Sequence, residues 1–258
     1  MRTPVLLLAV FVIRCVALAA APATTQPALP TLYIIGDSTV HNSTKPLVGW
    51  GDCIGELFDP SKIQVQNDAI AGRSTRTFIS DGRWDKVMST LKPGDFVMMQ
   101  FGHNDASPIN DATRARGTMP GTGDETQEID NQLTGKHETV HTYGWYLRKF
   151  VTDAKGKGAT PIICSLVPRD NWKDGKVIRS TDTYVAWAKQ IADEEHVPFI
   201  DLNDRIAAKY EQMGQEKANA FFPNDHTHTN IDGARLSAQT VVEGIRELKD
   251  SPLARYLK

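Results

Sequence analysis

Leu32-Tyr33-Ile34-Ile35-Gly36-Asp37-Ser38-Thr39-Val40 is an apolar run that breaks abruptly into Gly-Asp-Ser. A short apolar run ended by such turn residues reads as a buried β-strand. It sets a serine hydroxyl at the carboxyl end of the strand, the edge of an open α/β sheet where ligands bind. Working outward, further runs of strand length fall at 63–66, 96–101, 161–166 and 197–201. Amphipathic segments of helix length fall at 51–58, 84–91, 141–155, 182–194, 203–212 and 232–248. Gly156-Lys157-Gly158 closes the third of these with the glycine expected past a helix C-terminus.

Strands alternating with helices form a parallel sheet covered on both faces. The expected fold class is therefore α/β, a three-layer flavodoxin-like sandwich around a five-stranded parallel sheet. Ahead of it stand Arg2, an apolar stretch over 5–12 and the small residues Ala17-Leu18-Ala19-Ala20-Ala21, the layout of a cleaved secretory signal. Arg14 interrupts the stretch, which is too short and too broken for a membrane span. Cys15 follows Ile13-Arg14, not the small residues of a lipoprotein site. The expected organisation is a signal peptide over 1–21, a Pro/Ala/Thr tether over 22–30 and one domain over 31–258, secreted or periplasmic.

The remaining roughly 230 residues suffice for one substantial core. A composition of 40% hydrophobic and 23% charged residues excludes disorder. The formal net charge is −2 and no Lys/Arg run is dense, so neither nucleic acid nor an anionic membrane surface is an expected partner. A monomer without membrane contact after signal cleavage is expected. Cys53 and Cys164 follow the signal. They either pair in an oxidising compartment or stay as buried thiols, and their spacing leaves both open.

Chemistry-bearing residues fall in phase with the strands. Ser38 follows the first, Gly72 (in Ala71-Gly72-Arg73-Ser74) the second and Asn104 (in Gly102-His103-Asn104-Asp105) the third. Asn224-Asp225-His226-Thr227-His228 precedes the last helix. In a parallel sheet these loops gather at one edge. A serine nucleophile needs a base near neutral pH, and His228, oriented by Asp225 three positions earlier, fits that role. The backbone N–H groups of Ser38 and Gly72 and the Asn104 amide would face the oxyanion. Gly-x-Ser-x-Gly, a Walker loop and Gly-x-Gly-x-x-Gly are all missing. His226 and His228 alternate as two metal ligands on a strand would, but no third ligand follows at metalloenzyme spacing. No metal and no cofactor is expected.

Gly36-Asp37-Ser38-Thr39, Gly72, Gly102-His103-Asn104-Asp105 and Asp225-x-x-His228 together resemble the four blocks of the SGNH (GDSL-type) hydrolase superfamily. Residues 67–78, 101–105 and 222–229 are similar to its rhamnogalacturonan acetylesterase branch, as is the segment from Thr142-Tyr143 to Val167-Pro168-Arg169. The resemblance spans nearly all of 31–248. It implies Ser38 as nucleophile, Asp225 and His228 as acid and base, and Gly72 and Asn104 as oxyanion donors. It further implies metal-free hydrolysis of acetyl esters on pectin-type polysaccharide or oligosaccharide through an acetyl-enzyme. Within enzymes the alternatives are an acetylxylan esterase and a lipase- or thioesterase-like esterase with a longer acyl pocket. Outside enzymes the alternative is an inactive carbohydrate-binding relative.

The polar segment 106–136 far exceeds an ordinary connection of ~4–6 residues. It follows the third strand, so it should hang beside the site and shape which sugar enters. Arg73 and His103 adjoin the oxyanion donors and either contact sugar or hold those loops. Trp50 either stacks on a pyranose ring or packs at a helix start. Trp145, Tyr146 and Trp187 lie at helical spacing among aliphatic residues and read as core, while His41 and His137 read as solvated loop residues. No carboxylate pair has the look of a glycosidase.

Overall fold

The computed structural model describes residues 28–249 and 251–258. The expected signal over 1–21, and the tether as far as residue 27, lie outside them. In chain order the strands are β1 (Thr31–Gly36), β2 (Gln64–Asn67), β3 (Phe96–Gln100), β4 (Thr126–Asp130), β5 (His137–His141), β6 (Thr160–Cys164), β7 (Trp172–Lys173), β8 (Lys176–Val177) and β9 (Phe199–Ile200). The helices are α1 (Thr75–Ser80), α2 (Arg83–Thr90), α3 (Tyr143–Gly156), α4 (Tyr184–Glu194), α5 (Leu202–Met213), α6 (Gln215–Asn219) and α7 (Ile231–Glu247).

The five anticipated strands form one parallel sheet in the order β2-β1-β3-β6-β9. Side chains alternate across a strand, and that alternation builds two cores. Leu32, Ile34, Phe96, Met98 and Ile162 face α5, α7 and the short helical turns at 50–57. Tyr33, Ile35, Val97, Met99 and Ile163 face the layer of α1 to α4. The second core centres on aromatic contacts: Phe101 stacks on Phe150 at 5.7 Å, and Phe78 and Trp84 meet the same cluster edge-on. Cys53 and Cys164 are free and buried, and burial pushes both thiols above their ordinary range.

The chain steps from β1 outward to β2 and then returns to the other side of β1 for β3. Loops leaving β1 and β3 therefore diverge, and a crevice opens between their carboxyl ends. Such a reversal point is where doubly wound sheets bind ligands.

The structure differs from the expectation in several places. Residues 51–58 form two 3₁₀ turns, Trp50–Asp52 and Ile54–Leu57, not one helix. Gly51 and Gly55 weaken helix there, and the Asp52 carboxylate turns back to accept from the Gly49 N–H at 3.2 Å. Segment 106–136 is not all loop, since β4 and β5 pair as an antiparallel hairpin. Only Ile129 and Val140 of that hairpin are buried, so its sequence carries almost no apolar signal. His137 sits on β5, bound to Asp130 and Glu128, and not in a loop. Trp145 and Trp187 are only partly buried, whereas Tyr146 is core. Trp145 stacks on the His141 ring at 3.7 Å. Among the described residues, no helix is long and apolar enough to cross a membrane.

Candidate active site

Gly36 ends β1 where the backbone runs too close for a side chain. A Cβ there would lie 2.5 Å from Val40 Cγ2 and 2.6 Å from the Gln100 carbonyl. The chain then reverses around buried Asp37. Val40 and His41 N–H groups donate to its carbonyl at 3.1 Å, and the Thr39 N–H and hydroxyl donate to its Oδ1 at 2.9 and 2.7 Å. Thr39 also bonds Gln100, whose Oε1 accepts from Trp50 Nε1 at 2.9 Å. Ser38 thus projects from a turn braced on both sides. Trp50 is 1% exposed and serves this bracing, out of reach of the cleft.

Pairing of β1 with β2 continues past the strand ends, because Asp68 and Ile70 N–H groups donate to the carbonyls of Ile34 and Gly36. That fixes the approach to Gly72, whose φ of +78° belongs to the left-handed region that favours glycine. Asn104 donates one amide N–H to the Arg73 carbonyl at 2.9 Å, leaving its second N–H for the cleft. Next to it, Asp105 Oδ1 accepts from the Thr75 N–H and hydroxyl at 3.1 and 2.5 Å, tying the β3 loop to the start of α1.

The fourth segment arrives from before α7. Asp225 Oδ1 accepts from the N–H groups of Thr227 and His228 at 2.7 and 2.8 Å, and its Oδ2 lies 2.8 Å from His228 Nδ1. With Nδ1–H donating to that carboxylate, Nε2 is left to accept. It stands 2.7 Å from Ser38 Oγ, across 190 residues of sequence. Thr229 latches the loop in place through two hydrogen bonds with the backbone of Val48.

Electrostatics follow from these contacts. Burial works against charge on Asp225, but the hydrogen bonds from His228 and Thr227 outweigh it and hold the carboxyl at about 2. The acid stays ionised wherever imidazole can act as a base. Burial, opposed by Asp37 and aided by Arg169 and His228, lowers His103 to about 4. Burial raises Asp105 to about 7 against the Thr75 hydrogen bonds.

Ser38, Gly72, His103, Asn104, Asp225 and His228 line one cleft of about 690 Å³. Arg73 does not line it; its side chain pairs with Asp81 at 2.6 Å in the neighbouring cleft, and only its carbonyl serves Asn104. His226 Nε2 accepts from Arg169 at 3.0 Å, turned away from His228's partners. Among the described residues no three His, Cys, Asp or Glu side chains gather as a metal site would need. The arrangement can move a proton from a serine hydroxyl to an imidazole and surround a developing oxyanion with N–H donors.

Sequence reasoning placed segment 106–136 beside the site but singled out none of the arginines on the cleft walls. Arg114, Arg116 and Arg169 all line the cleft. The available signal was Arg114-Ala115-Arg116, two cations in the polar segment that follows β3 and Asn104. Also unforeseen was Arg76, 2% exposed on α1, which donates to the carbonyls of Ile109 and Gly117 at 2.8 Å and pairs with Glu138 of β5.

Comparison with known proteins gives a consistent result. A model of the GDSL-like lipase/acylhydrolase family matches residues 34–236. A rhamnogalacturonan acetylesterase of Emericella nidulans is 34% identical over 215 residues, covering 83% of this chain and 84% of that protein. The rhamnogalacturonan acetylesterase RhgT of Bacillus subtilis is 31% identical over 235 residues, covering 84% and 90%. Among solved structures, the YxiM protein of Bacillus subtilis superposes with a TM-score of 0.68 at 25% identity. That match covers 85% of this chain but only 56% of the YxiM chain.

Proposed function

The chain belongs to the GDSL-like lipase/acylhydrolase family and is a carboxylic ester hydrolase, and on that premise we propose that it removes acetyl groups from plant cell-wall polysaccharide, with rhamnogalacturonan or pectin the leading substrate. The observation carrying this reading is the unbroken relay of 2.7 Å from Ser38 Oγ to His228 Nε2 and 2.8 Å from His228 Nδ1 to Asp225.

Ser38 Oγ attacks the acetyl carbonyl while its proton passes to His228 Nε2. Asp225 holds the ring in the tautomer that accepts this proton and offsets the positive charge that results. The oxyanion faces the N–H groups of Ser38 and Gly72 and the free N–H of Asn104. Collapse breaks the bond to the sugar oxygen, which takes the proton from His228 and leaves. Water then gives a proton to the same imidazole and attacks the acetyl-enzyme; collapse breaks the bond to Ser38 Oγ, which takes that proton back from His228, and acetate leaves. Arg73 acts on this chemistry through its carbonyl, His103 and Trp50 through the loops they pack against. The apolar stretch at the N-terminus fits export to the periplasm or medium, where such polymers are met.

Acetate release from acetylated pectins, acetylated xylans and simple esters of rising acyl length tests the reading. Acetyl esters on a pectin backbone should be the best substrates. Hexanoyl esters outrunning acetyl esters would replace it with a lipase- or thioesterase-like activity, and preference for xylan would move the substrate.

A further inference from the structure

Five arginines in this fold are spent on carboxylates: Arg73 on Asp81, Arg76 on Glu138, Arg148 on Glu194, Arg179 on Glu211 and Arg205 on Glu247. The three that line the catalytic cleft are not. Among the described residues, Arg114, Arg116 and Arg169 have no carboxylate within ion-pair distance. The cleft's lining includes one acid, Asp225, already committed to His228. A protein whose formal net charge is −2 has therefore gathered an excess of fixed positive charge where its ester would sit. Low-dielectric cleft walls focus such a field on an incoming anion.

The excess continues beyond the catalytic cleft. A second cleft, of about 460 Å³, shares Gly72, Arg114 and Arg116 with the first and runs on to the β4–β5 hairpin. Its acids Asp81 and Glu138 are held by Arg73 and Arg76, while Lys136 on its rim has no acidic partner among the described residues. Arg114 and Arg116 are the saddle between the two clefts. The Arg114 side chain is exposed and faces both. Arg116 donates through Nε to Ser107 at 3.1 Å and through Nη1 to the Gly72 carbonyl at 3.1 Å. Its other N–H groups are not used in those bonds. Burial and the adjacent Arg114 charge pull the Arg116 pKa down, a cost that a bound anion would relieve.

We propose that Arg114 and Arg116, with Arg169 across the cleft, form a carboxylate-binding subsite that grips uronic-acid residues flanking the acetylated sugar, so that the polymer runs from the catalytic cleft over Gly72 toward Lys136. This rests on the esterase reading and adds which feature of the substrate is recognised. A planar guanidinium fork matches a carboxylate with two hydrogen bonds. Neutral acetylated polymers offer these three groups hydroxyl and carbonyl oxygens but no anion to match the fork. Because Arg116 also holds the Gly72 carbonyl, the same side chain joins recognition of the polymer to the loop beneath the oxyanion.

Binding tests the subsite without relying on turnover. Calorimetry on the full chain should show an unacetylated oligogalacturonide binding at least about tenfold more tightly than its carboxyl-reduced, neutral counterpart. Added salt should erode that margin. Arg114→Gln should remove about tenfold of it, and Arg116→Lys should lose affinity while keeping the charge, since a point charge cannot make the fork. In turnover, an acetylated uronic polymer with free carboxylates should surpass the same polymer after methyl esterification, mainly through KM. Equal affinity for the charged and neutral oligosaccharides, or no response to Arg114→Gln in a protein with unchanged melting, overturns the subsite. Hydrolysis of 4-nitrophenyl acetate judges the esterase reading separately, because that ester carries no carboxylate for the arginines to hold.

Discussion

Ser38, Asn104 and His228 reach the cleft from loops close to a strand end or a helix start, and hydrogen bonds restrain each of them. Asp37 and Thr39 brace the first, the Arg73 carbonyl the second and Asp225 the third. Arg114 and Lys136 stand on the long segment between β3 and β5, exposed and, among the described residues, in no ion pair. One region is a floor whose serine, amide and imidazole are each held by a hydrogen bond, and the other is a wall with exposed cations. The contrast separates two demands on an esterase. Proton transfer needs atoms held within a few tenths of an ångström, whereas gripping a flexible polymer needs charge within reach and tolerates motion.

Substitutions in the floor should act on turnover by orders of magnitude, and those in the wall should act modestly on affinity. Ser38→Ala should lower acetate release on the order of 10⁶-fold, as loss of the nucleophile does in other serine–histidine–acid sites. Its circular dichroism and melting should stay those of the parent; activity surviving in that variant would take the nucleophile away from Ser38. Asn104→Ala should cost about 100- to 1000-fold in kcat with KM little changed, because the oxyanion exists only along the reaction path. A change confined to KM would move Asn104 from the floor to the wall.

The smallest effect concerns stability, and it divides the two regions by pH. His103, held near 4, stays neutral in the fold while the unfolded chain takes up a proton below about 6.5, so its contribution declines as pH falls through that window. Asp105, held near 7, keeps its proton in the fold while the unfolded chain releases one above about 3.9, so its contribution declines as pH rises. The two slopes oppose one another in the parent. Melting of Asp105→Asn should therefore climb from about pH 4 to 6.5, and melting of His103→Gln should fall from about pH 4 to 7. Arg114→Gln, on the exposed wall, should melt in parallel with the parent throughout. Parallel curves for all three would remove the distinction.

The sheet was legible because its strands are buried on both faces, so Leu32-Tyr33-Ile34-Ile35 and Phe96-Val97-Met98-Met99 read as uninterrupted apolar runs. The meeting of residues 38 and 228 followed from the parallel sense of those strands, which carries every such loop to one edge. What stayed hidden was polar or local. α1, Thr-Arg-Thr-Phe-Ile-Ser, buries Thr75, Arg76 and Phe78 and has no stripe of hydrophobic residues to betray it. The hairpin at 126–141 buries a single residue per strand, and its register rests on cross-strand contacts such as Thr139 with Glu128 that composition does not reveal. Trp50 shows the limit of residue type as a guide. An indole beside a sugar site suggests stacking, yet its N–H is needed inside to hold Gln100.

Arg76 grips the segment that walls the cleft mainly through the carbonyl oxygens of Ile109 and Gly117, and every amino acid supplies such an oxygen. Residues between those two anchors can thus be exchanged without loosening the clamp. Selection, or a designer's library, can vary the cleft wall there, provided that Arg116 and its hold on the Gly72 carbonyl are kept.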